Sequence, residues 1–362
     1  MLRFTRSFAC FSLLLLLPLL TSGCLSSSTE EEGGETKRFI ILTNGNSPYW
    51  DAAAKGAQDA AQELKLTDSG YQLEIQRGDY QSKNQIDKLK SYLTAGDIAG
   101  VAISVVDDQT PAIAEQMKAL RDAGIKVVTI DSDVNRERNR DARFGYIGTD
   151  NEIAGAELGK AAQALVKMGN YSAFVGLKGA SNAQARIKGF EKGAGSGITQ
   201  KKYIEDGGAD KAPGVIRNNV DFNSPPDLLV GIWSYNTPAI VQTVEALKIR
   251  EKVKVIGFDA DPPSIKAMKD GQVDALLVQD PYQMGFLGVK ALKALVEDDK
   301  EAIKETFPKL GEAEGDIHTT GLKVVVPNKD SKITKDLFNA ETEFLTLSEF
   351  EEWLKKYGLT GS

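Results

Sequence analysis

The sequence predicts an α/β protein of two doubly wound parallel-sheet lobes, and three observations predict it. Short runs rich in β-branched residues alternate with longer amphipathic stretches, the alternation restarts midway, and the chain exceeds what one hydrophobic core usually supports. In the first half the runs are Phe39-Ile40-Ile41-Leu42, Leu73-Glu74-Ile75, Val101-Ala102-Ile103 and Val127-Val128-Thr129-Ile130. Stretches with apolar residues at 3.6-residue spacing, such as 51–66 and 111–123, separate them. After Gly145-Tyr146-Ile147-Gly148 the pattern begins again with a helix at 153–168. The runs Ala173-Phe174-Val175, Leu228-Leu229-Val230-Gly231-Ile232, Val253-Lys254-Val255-Ile256-Gly257-Phe258 and Ala275-Leu276-Leu277-Val278 then follow. Successive strand–helix–strand units make parallel sheets because the helix is the crossover that returns the chain to the same edge.

The first residues stand outside this pattern. Arg3 and Arg6 precede an apolar run over 8–20, which ends in Thr21, Ser22 and Gly23 before Cys24. A basic start, a short apolar core and a small-residue exit read as a secretory signal over 1–23, too short to remain as a spanning helix. The next stretch, Ser26-Ser27-Ser28-Thr29-Glu30-Glu31-Glu32-Gly33-Gly34-Glu35, has no apolar side chain to bury, so 24–36 is expected to be a flexible tether. The signal exit resembles the lipobox of bacterial lipoproteins, with Thr21 where that motif usually has Leu. That resemblance implies acylation of Cys24 and a membrane-anchored protein on the periplasmic or cell-surface side.

Composition excludes several classes of chemistry. The other cysteine, Cys10, lies inside the signal, so no internal disulfide is available once the signal is removed. His318 is the one histidine, which argues against Ser-His-Asp catalysis and zinc ligation. The net charge of −7 becomes two units more negative without Arg3 and Arg6, which argues against nucleic acid as a partner. Two local signals are weak. Gly193-Ala194-Gly195-Ser196-Gly197 follows a helix and lacks a phosphate-loop ending, so a flexible helix exit is expected. The basic stretch 136–143 carries interspersed acids and reads as a solvated loop or a docking surface.

In open parallel sheets, ligands bind beyond the carboxyl ends of the strands. After the first run come Thr43-Asn44-Gly45-Asn46-Ser47-Pro48-Tyr49-Trp50; Asp131 and Ser132 follow the fourth. Trp233-Ser234-Tyr235-Asn236 follows the Leu228 run, Asp259 the Val253 run, and Gln279 the Ala275 run. A sugar presents an apolar C–H face and a rim of hydroxyls, suited to aromatic rings and to carboxylates, amides and Arg respectively. Each residue also has a plainer reading. Tyr49 and Trp50 could pack inward from the first helix, and Asp131 and Asp259 could be helix N-caps.

Read in order over roughly 38–326, the chain resembles the ribose-type periplasmic sugar-binding proteins that serve ABC importers. Asn46-Ser47-Pro48-Tyr49-Trp50, Ile130-Asp131, Tyr146-Ile147-Gly148-Thr149-Asp150-Asn151, Arg186-Ile187-Lys188-Gly189-Phe190, Val255-Ile256-Gly257-Phe258-Asp259 and Gln279-Asp280-Pro281 carry the resemblance. It implies ring stacking by Tyr49 and Trp50, hydroxyl acceptance by Asp131 and Asp259, and further rim contacts from Arg186 and Gln279. The candidate ligand set is Thr43, Ser47, Tyr49, Trp50, Asp131, Ser132, Arg186, Trp233, Tyr235, Asn236, Asp259 and Gln279. The resemblance also implies a hinge of three crossings at Thr149-Asp150, Gln279-Asp280 and near Thr319-Thr320. These divide the chain into a first lobe of 37–149 plus 280–318 and a second of 150–279 plus 319–327, with 328–362 as a C-terminal helical extension. The sequence departs from the pattern at Ser132, where ribose binders have Arg, at Tyr235, where they have Asn, and in the aromatic-free Gly207-Gly208-Ala209-Asp210. A Trp and a Tyr at 233 and 235 are expected to supply the missing stacking surface. The function implied is capture of a monosaccharide or similar polyol by a monomeric, non-enzymatic, cofactor-free receptor that feeds an ABC permease. Two rivals are a receptor docking on a chemoreceptor or histidine kinase, and a glycosidase using Asp131 and Asp259.

Overall fold

The computed structural model describes residues 36–362; Cys24, the apolar run and nearly all of the tether lie outside the described residues. Among the described residues no helix is long and apolar enough to cross a membrane. Strands β1 (Lys37–Leu42), β2 (Tyr71–Gln76), β3 (Ile98–Ile103), β4 (Lys126–Ile130) and β5 (Tyr146–Gly148) begin the first sheet. Strands β6 (Gly169–Val175), β7 (Ile198–Glu205), β8 (Leu228–Gly231), β9 (Lys254–Phe258) and β10 (Ala275–Val278) begin the second. Later, β11 (Ile317–Thr319) returns to the first sheet, and β12 (Leu322–Val326) and β13 (Thr342–Thr346) complete the second. The orders are β2-β1-β3-β4-β5-β11 and β7-β6-β8-β9-β10-β12-β13.

Alternation along each strand explains why both sheets are covered on two faces. Phe39, Ile41, Ala102, Val128 and Ile130 point to one face of the first sheet, under the helices Pro48–Glu63 and Pro281–Val296. Ile40, Leu42, Val101, Ile103 and Val127 point to the other, under Ser82–Ala95 and Pro111–Asp122. The second sheet repeats this, with Ala173, Val230 and Phe258 on one face and Phe174, Leu229 and Val255 on the other. Each such Ile, Leu or Phe side chain contributes about 1.5–3 kcal/mol by leaving water.

Every strand pair is parallel except β10 with β12. The sheets are thus parallel-dominated, as expected, with this one antiparallel pair. Only Thr320 and Gly321 separate β11 from β12, so β12 enters its sheet directly from the other lobe, with no helical crossover to reverse it. The chain passes between the sheets at three places: after β5, after β10 into a helix packed on the first sheet, and between β11 and β12. The tail, expected as a helical extension, also supplies β13. Its helix Leu347–Lys356 opens with a capping box at Thr346 and Glu349 and buries Phe350 and Leu354 in the second-lobe core.

The expectation of a solvated loop at 136–143 is corrected. Arg143 has no exposed side-chain surface and is held between Asp133 and Asp316, while Arg140 pairs with Asp316 and Glu314. These guanidinium partners outweigh partial burial and hold Asp316 down to about 2. At 193–197 the helix Ser181–Ala194 ends on Gly195 at φ 70°, a helix exit of the left-handed kind glycine favours.

Candidate functional site between the lobes

Two aspartates set the geometry. Asp131 follows β4 and Asp259 follows β9, and both adopt left-handed backbone, at φ 62° and 63°. The Asp131 backbone N–H donates to Ile147 O in β5, and that of Asp259 donates to Leu277 O in β10. The same turn is therefore built at the same strand-end corner of each lobe. Neither is a helix N-cap: the nearest following helices begin after Asn135 and Asp261.

In the first lobe, the Tyr49 hydroxyl donates to Asp131 Oδ1 at 2.8 Å and the Ser104 hydroxyl donates to Oδ2 at 2.8 Å. Burial nonetheless raises the Asp131 carboxyl above its ordinary range, against the lowering effects of these donors and of Arg186. Tyr49 is itself buried, and its hydroxyl is pushed well up by burial and by the charges of Asp131 and Asp259. A first-lobe phenol thus lies within electrostatic reach of a carboxylate from each lobe. The lobes also touch where the Ser181 hydroxyl donates to Asp108.

In the second lobe, Gln279 Nε2 donates to Asp259 Oδ1 at 2.9 Å, and Gln279 Oε1 accepts from the Thr149 hydroxyl at 2.8 Å. Asp259 is 4% exposed, and burial pushes its carboxyl up to about 7 despite the nearby Arg186. Arg186 projects from the helix Ser181–Ala194, which lies against Asn151–Leu165 so closely that a Cβ on Gly155 would come within 2.1 Å of Arg186 O. Its Nε donates to Asn151 Oδ1 at 2.8 Å and its Nη1 to Ile232 O at 3.0 Å, with the guanidinium 4.3 Å from the Phe258 ring centroid. Those bonds use two of its five N–H donors.

Two aromatic residues come from the second lobe. Trp233 and Tyr235 meet edge to face at 6.3 Å, and a Cβ on Gly176 would overlap both rings, so only glycine admits them. The Trp233 indole N–H is buried without a partner. Tyr235 donates to Asp206 Oδ1 at 2.9 Å, and Asn236 Nδ2 donates to Asp206 Oδ2 at 2.5 Å. Such a chamber offers carboxylate acceptors, one guanidinium, a free indole donor and aromatic faces. Among the described residues no cluster of His, Cys, Asp and Glu is arranged to hold a metal ion.

Residues 38–301 match the periplasmic binding protein domain family. The chain belongs to that family. Among curated relatives, the ribose import binding protein of Salmonella typhimurium is 25% identical over 298 residues, covering 80% of this chain and 95% of its own. The D-allose-binding periplasmic protein of Escherichia coli is 26% identical over 271 residues, covering 70% and 82% respectively. An ABC transporter solute-binding protein from Burkholderia graminis, solved with D-arabinose, superposes with a TM-score of 0.68 at 25% identity, over 85% of this chain and 99% of that one.

Within this periplasmic binding protein, the strand-end candidates divide into two groups. Tyr49 contacts Asp131 and Gln279 contacts Asp259, while Arg186 acts electrostatically on both carboxylates. Trp233 and Tyr235 line the second lobe as a pair. Others are held for structural work. Trp50, expected to stack on a ligand, is 2% exposed and sits in the first-lobe core, edge-on to Tyr49 at 5.1 Å. Thr43 donates to Gly45 O at 2.6 Å and accepts from Gly78 N–H at 3.0 Å, which fixes the loop after β1. Both ends of the fully buried Asn236 amide are engaged, its Oδ1 accepting from Trp233 N–H at 2.8 Å. Ser47 precedes the helix Pro48–Glu63 without capping it. The Ser132 backbone closes the Asp131 turn by donating to Ile130 O at 2.6 Å.

Three residues of the chamber were missed by the sequence reading. Tyr80, just past β2, feels the charges of Asp131 and Asp261 and in turn acts on Tyr235 of the other lobe. Asp206 follows β7 and anchors Tyr235 and Asn236. Asp261 lies two residues beyond Asp259 and is 6% exposed. The strand-end rule applied to β2 and β7 would have found the first two.

Proposed function

We propose that this periplasmic binding protein captures a monosaccharide or similar polyol between its lobes and hands it to an ABC importer. One observation carries the reading: Asp131 and Asp259 occupy matching corners of the two lobes and act, with Arg186, on the same phenol of Tyr49. A ligand with hydroxyls on opposite edges would satisfy both carboxylates at once and so favour the closed arrangement over an open one. The names of the relatives, which refer to ribose and D-allose, support a sugar as the ligand class. In this reading Asp131, Arg186, Asp259 and Gln279 bind the hydroxyl rim, and Tyr49, Trp233 and Tyr235 cover the apolar face. The lobes rotate about the crossings at Thr149-Asp150, Gln279-Asp280 and Thr319-Thr320. The family is one of binding proteins, which supports a non-enzymatic role. Secretion by the signal over 1–23 and acylation at Cys24 would tether the receptor beside its permease, a reading supported by the basic, apolar and small-residue segments in sequence.

The test is a thermal-shift screen of the purified protein against pentoses, hexoses and polyols, followed by calorimetric titration. A ligand that binds the folded state raises its melting temperature by mass action, so at least one sugar should do so saturably. Absence of any shift, together with hydrolysis of an aryl glycoside, would replace the receptor reading by an enzyme. For the anchor, Cys24→Ala expressed in a Gram-negative host should move the protein from the membrane to the soluble fraction. Equal membrane retention of variant and wild type would remove the anchor.

A further inference from the structure

Charge and hydrogen-bond capacity in the chamber are unbalanced. Three carboxylates, Asp131, Asp259 and Asp261, act on chamber groups from both lobes, and Arg186 is the guanidinium that acts on Asp131 and Asp259. Among the described residues, no Lys or Arg forms an ion pair with Asp261. Its electrostatic neighbours are the Ser234 hydroxyl, which favours its charge, and Asp51 of the first lobe, which opposes it. Arg77 pairs with that Asp51 through Nη2 at 2.7 Å, and its buried Nη1 has no hydrogen-bond partner.

Asp261 is also out of place as a structural residue. It occupies the N-cap position of the helix Pro262–Lys269, where an Asp side chain ordinarily accepts from the first backbone N–H groups, yet its carboxylate makes no cap bond. Its Oδ1 is instead buried with no hydrogen-bond partner. A buried, unpartnered carboxylate oxygen costs free energy unless something donates to it. Burial, helped by the charge of Asp51, pushes this carboxyl up to about 6 against the lowering effect of the Ser234 hydroxyl.

A hydroxyl that donates to Asp261 would bring its own lone pairs into a chamber already rich in acceptors. An ammonium has three N–H donors and no acceptor, and it carries the charge that the three carboxylates lack. Resting on the receptor reading above, we propose that Asp261 is a specificity residue that pairs with a protonated amino group on the ligand. The preferred ligand is then an amino sugar or an amino-substituted polyol. Asp131, Asp259 and Arg186 hold its hydroxyls, as they would for a neutral sugar.

The experiment is calorimetric titration at pH 7.5 with matched triplets: glucose, glucosamine and N-acetylglucosamine, and the galactose and mannose equivalents. N-acetylation keeps the nitrogen and removes the charge. In at least one triplet the free amine should bind 10-fold or more tighter than both its neutral members. In Asp261→Asn, which keeps the side-chain shape, that preference should fall to about 1, with the same loss in Asp261→Ser if the amide misfolds. A neutral sugar that binds as tightly as every amine, or a preference that survives in both variants, overturns this inference and leaves the sugar-receptor reading intact. No saturable binding by any member of any triplet also overturns this inference, whereas the sugar-receptor reading falls only if the wider screen of pentoses, hexoses and polyols is silent as well.

Discussion

The two strand-end corners share a backbone turn but differ in how their carboxylates are supported. Asp131 is held from within its own lobe by two hydroxyl donors, Tyr49 and Ser104. Asp259 has a single side-chain donor, Gln279, and that amide is itself held by Thr149, at the point where the chain leaves the first sheet. The first corner is therefore preorganised whatever the lobes do. The second depends on the hinge, where Thr149 holds Gln279, and burial raises its carboxyl to about 7. A receptor built this way has one fixed half-site and one that ligand completes, which is how a ligand comes to favour the closed state.

The largest expected effect tests what joins the corners. Arg186 acts on both carboxylates, and Arg186→Met should weaken sugar binding by about 2–5 kcal/mol, the cost of stripping a buried charge pair of one partner. Calorimetry reads this directly, and affinity within threefold of wild type would mean that the corners are not bridged by this guanidinium.

Asp131→Asn and Asp259→Asn should each weaken ligand binding by about 1.5–3 kcal/mol, as expected for a charged hydrogen bond. Their effects on the ligand-free protein should diverge. Asp131→Asn loses charge-assisted bonds to Tyr49 and Ser104 and lowers the melting temperature, whereas Asp259→Asn removes a poorly compensated buried carboxyl and leaves it unchanged or higher. Equal destabilisation in scanning calorimetry would erase the distinction between the corners.

A pH dependence follows with a definite sign. Burial holds Asp259 up to about 7 in this structure, against about 3.9 for a carboxyl that opening of the lobes would expose to water. The closed form therefore binds the proton first. Its gain relative to the open form is fully present below about pH 4 and is lost as pH rises through 7. Small-angle scattering of the ligand-free protein should report a more compact particle at pH 5 than at pH 8, with the difference reduced in Asp259→Asn. Identical scattering at both values would leave Asp259 outside the opening equilibrium.

The smallest effect separates redundant from single support. Ser104→Ala leaves Asp131 with Tyr49 and should cost about 0.5–1.5 kcal/mol of affinity. Gln279→Leu strips Asp259 of its side-chain donor and should cost more, and the reverse order in titration would invert the comparison.

Much of this was legible in sequence because periodicity dictates it. The alternating strands and crossovers fixed two parallel sheets, and the strand-end rule led to Tyr49, Asp131, Asp259 and Gln279, while Arg186, on a helix, came only from the family resemblance. What escaped has physical causes. Edge strand β7 exposes Thr199, Gln200 and Lys201, so it lacks the apolar run that marks a central strand. Helical spacing does not say which way a first-turn aromatic points, and Trp50 turned to the core while its neighbour Tyr49 reached Asp131. Asp261 looks like an ordinary N-cap before two prolines, and only the unmade cap bond distinguishes it. Arg143 reads as one of four arginines in a polar stretch, and its burial depends on Asp316, 173 residues away in sequence.

The account stands most directly on one measurement: a scattering titration of the purified protein with its best sugar, run beside calorimetry on the same samples. The radius of gyration should fall saturably with the calorimetric midpoint, and in Asp259→Asn both midpoints should move together to higher ligand concentration. Heat of binding without compaction, or compaction whose midpoint ignores Asp259→Asn, would contradict closure of two lobes around a ligand shared by Asp131 and Asp259.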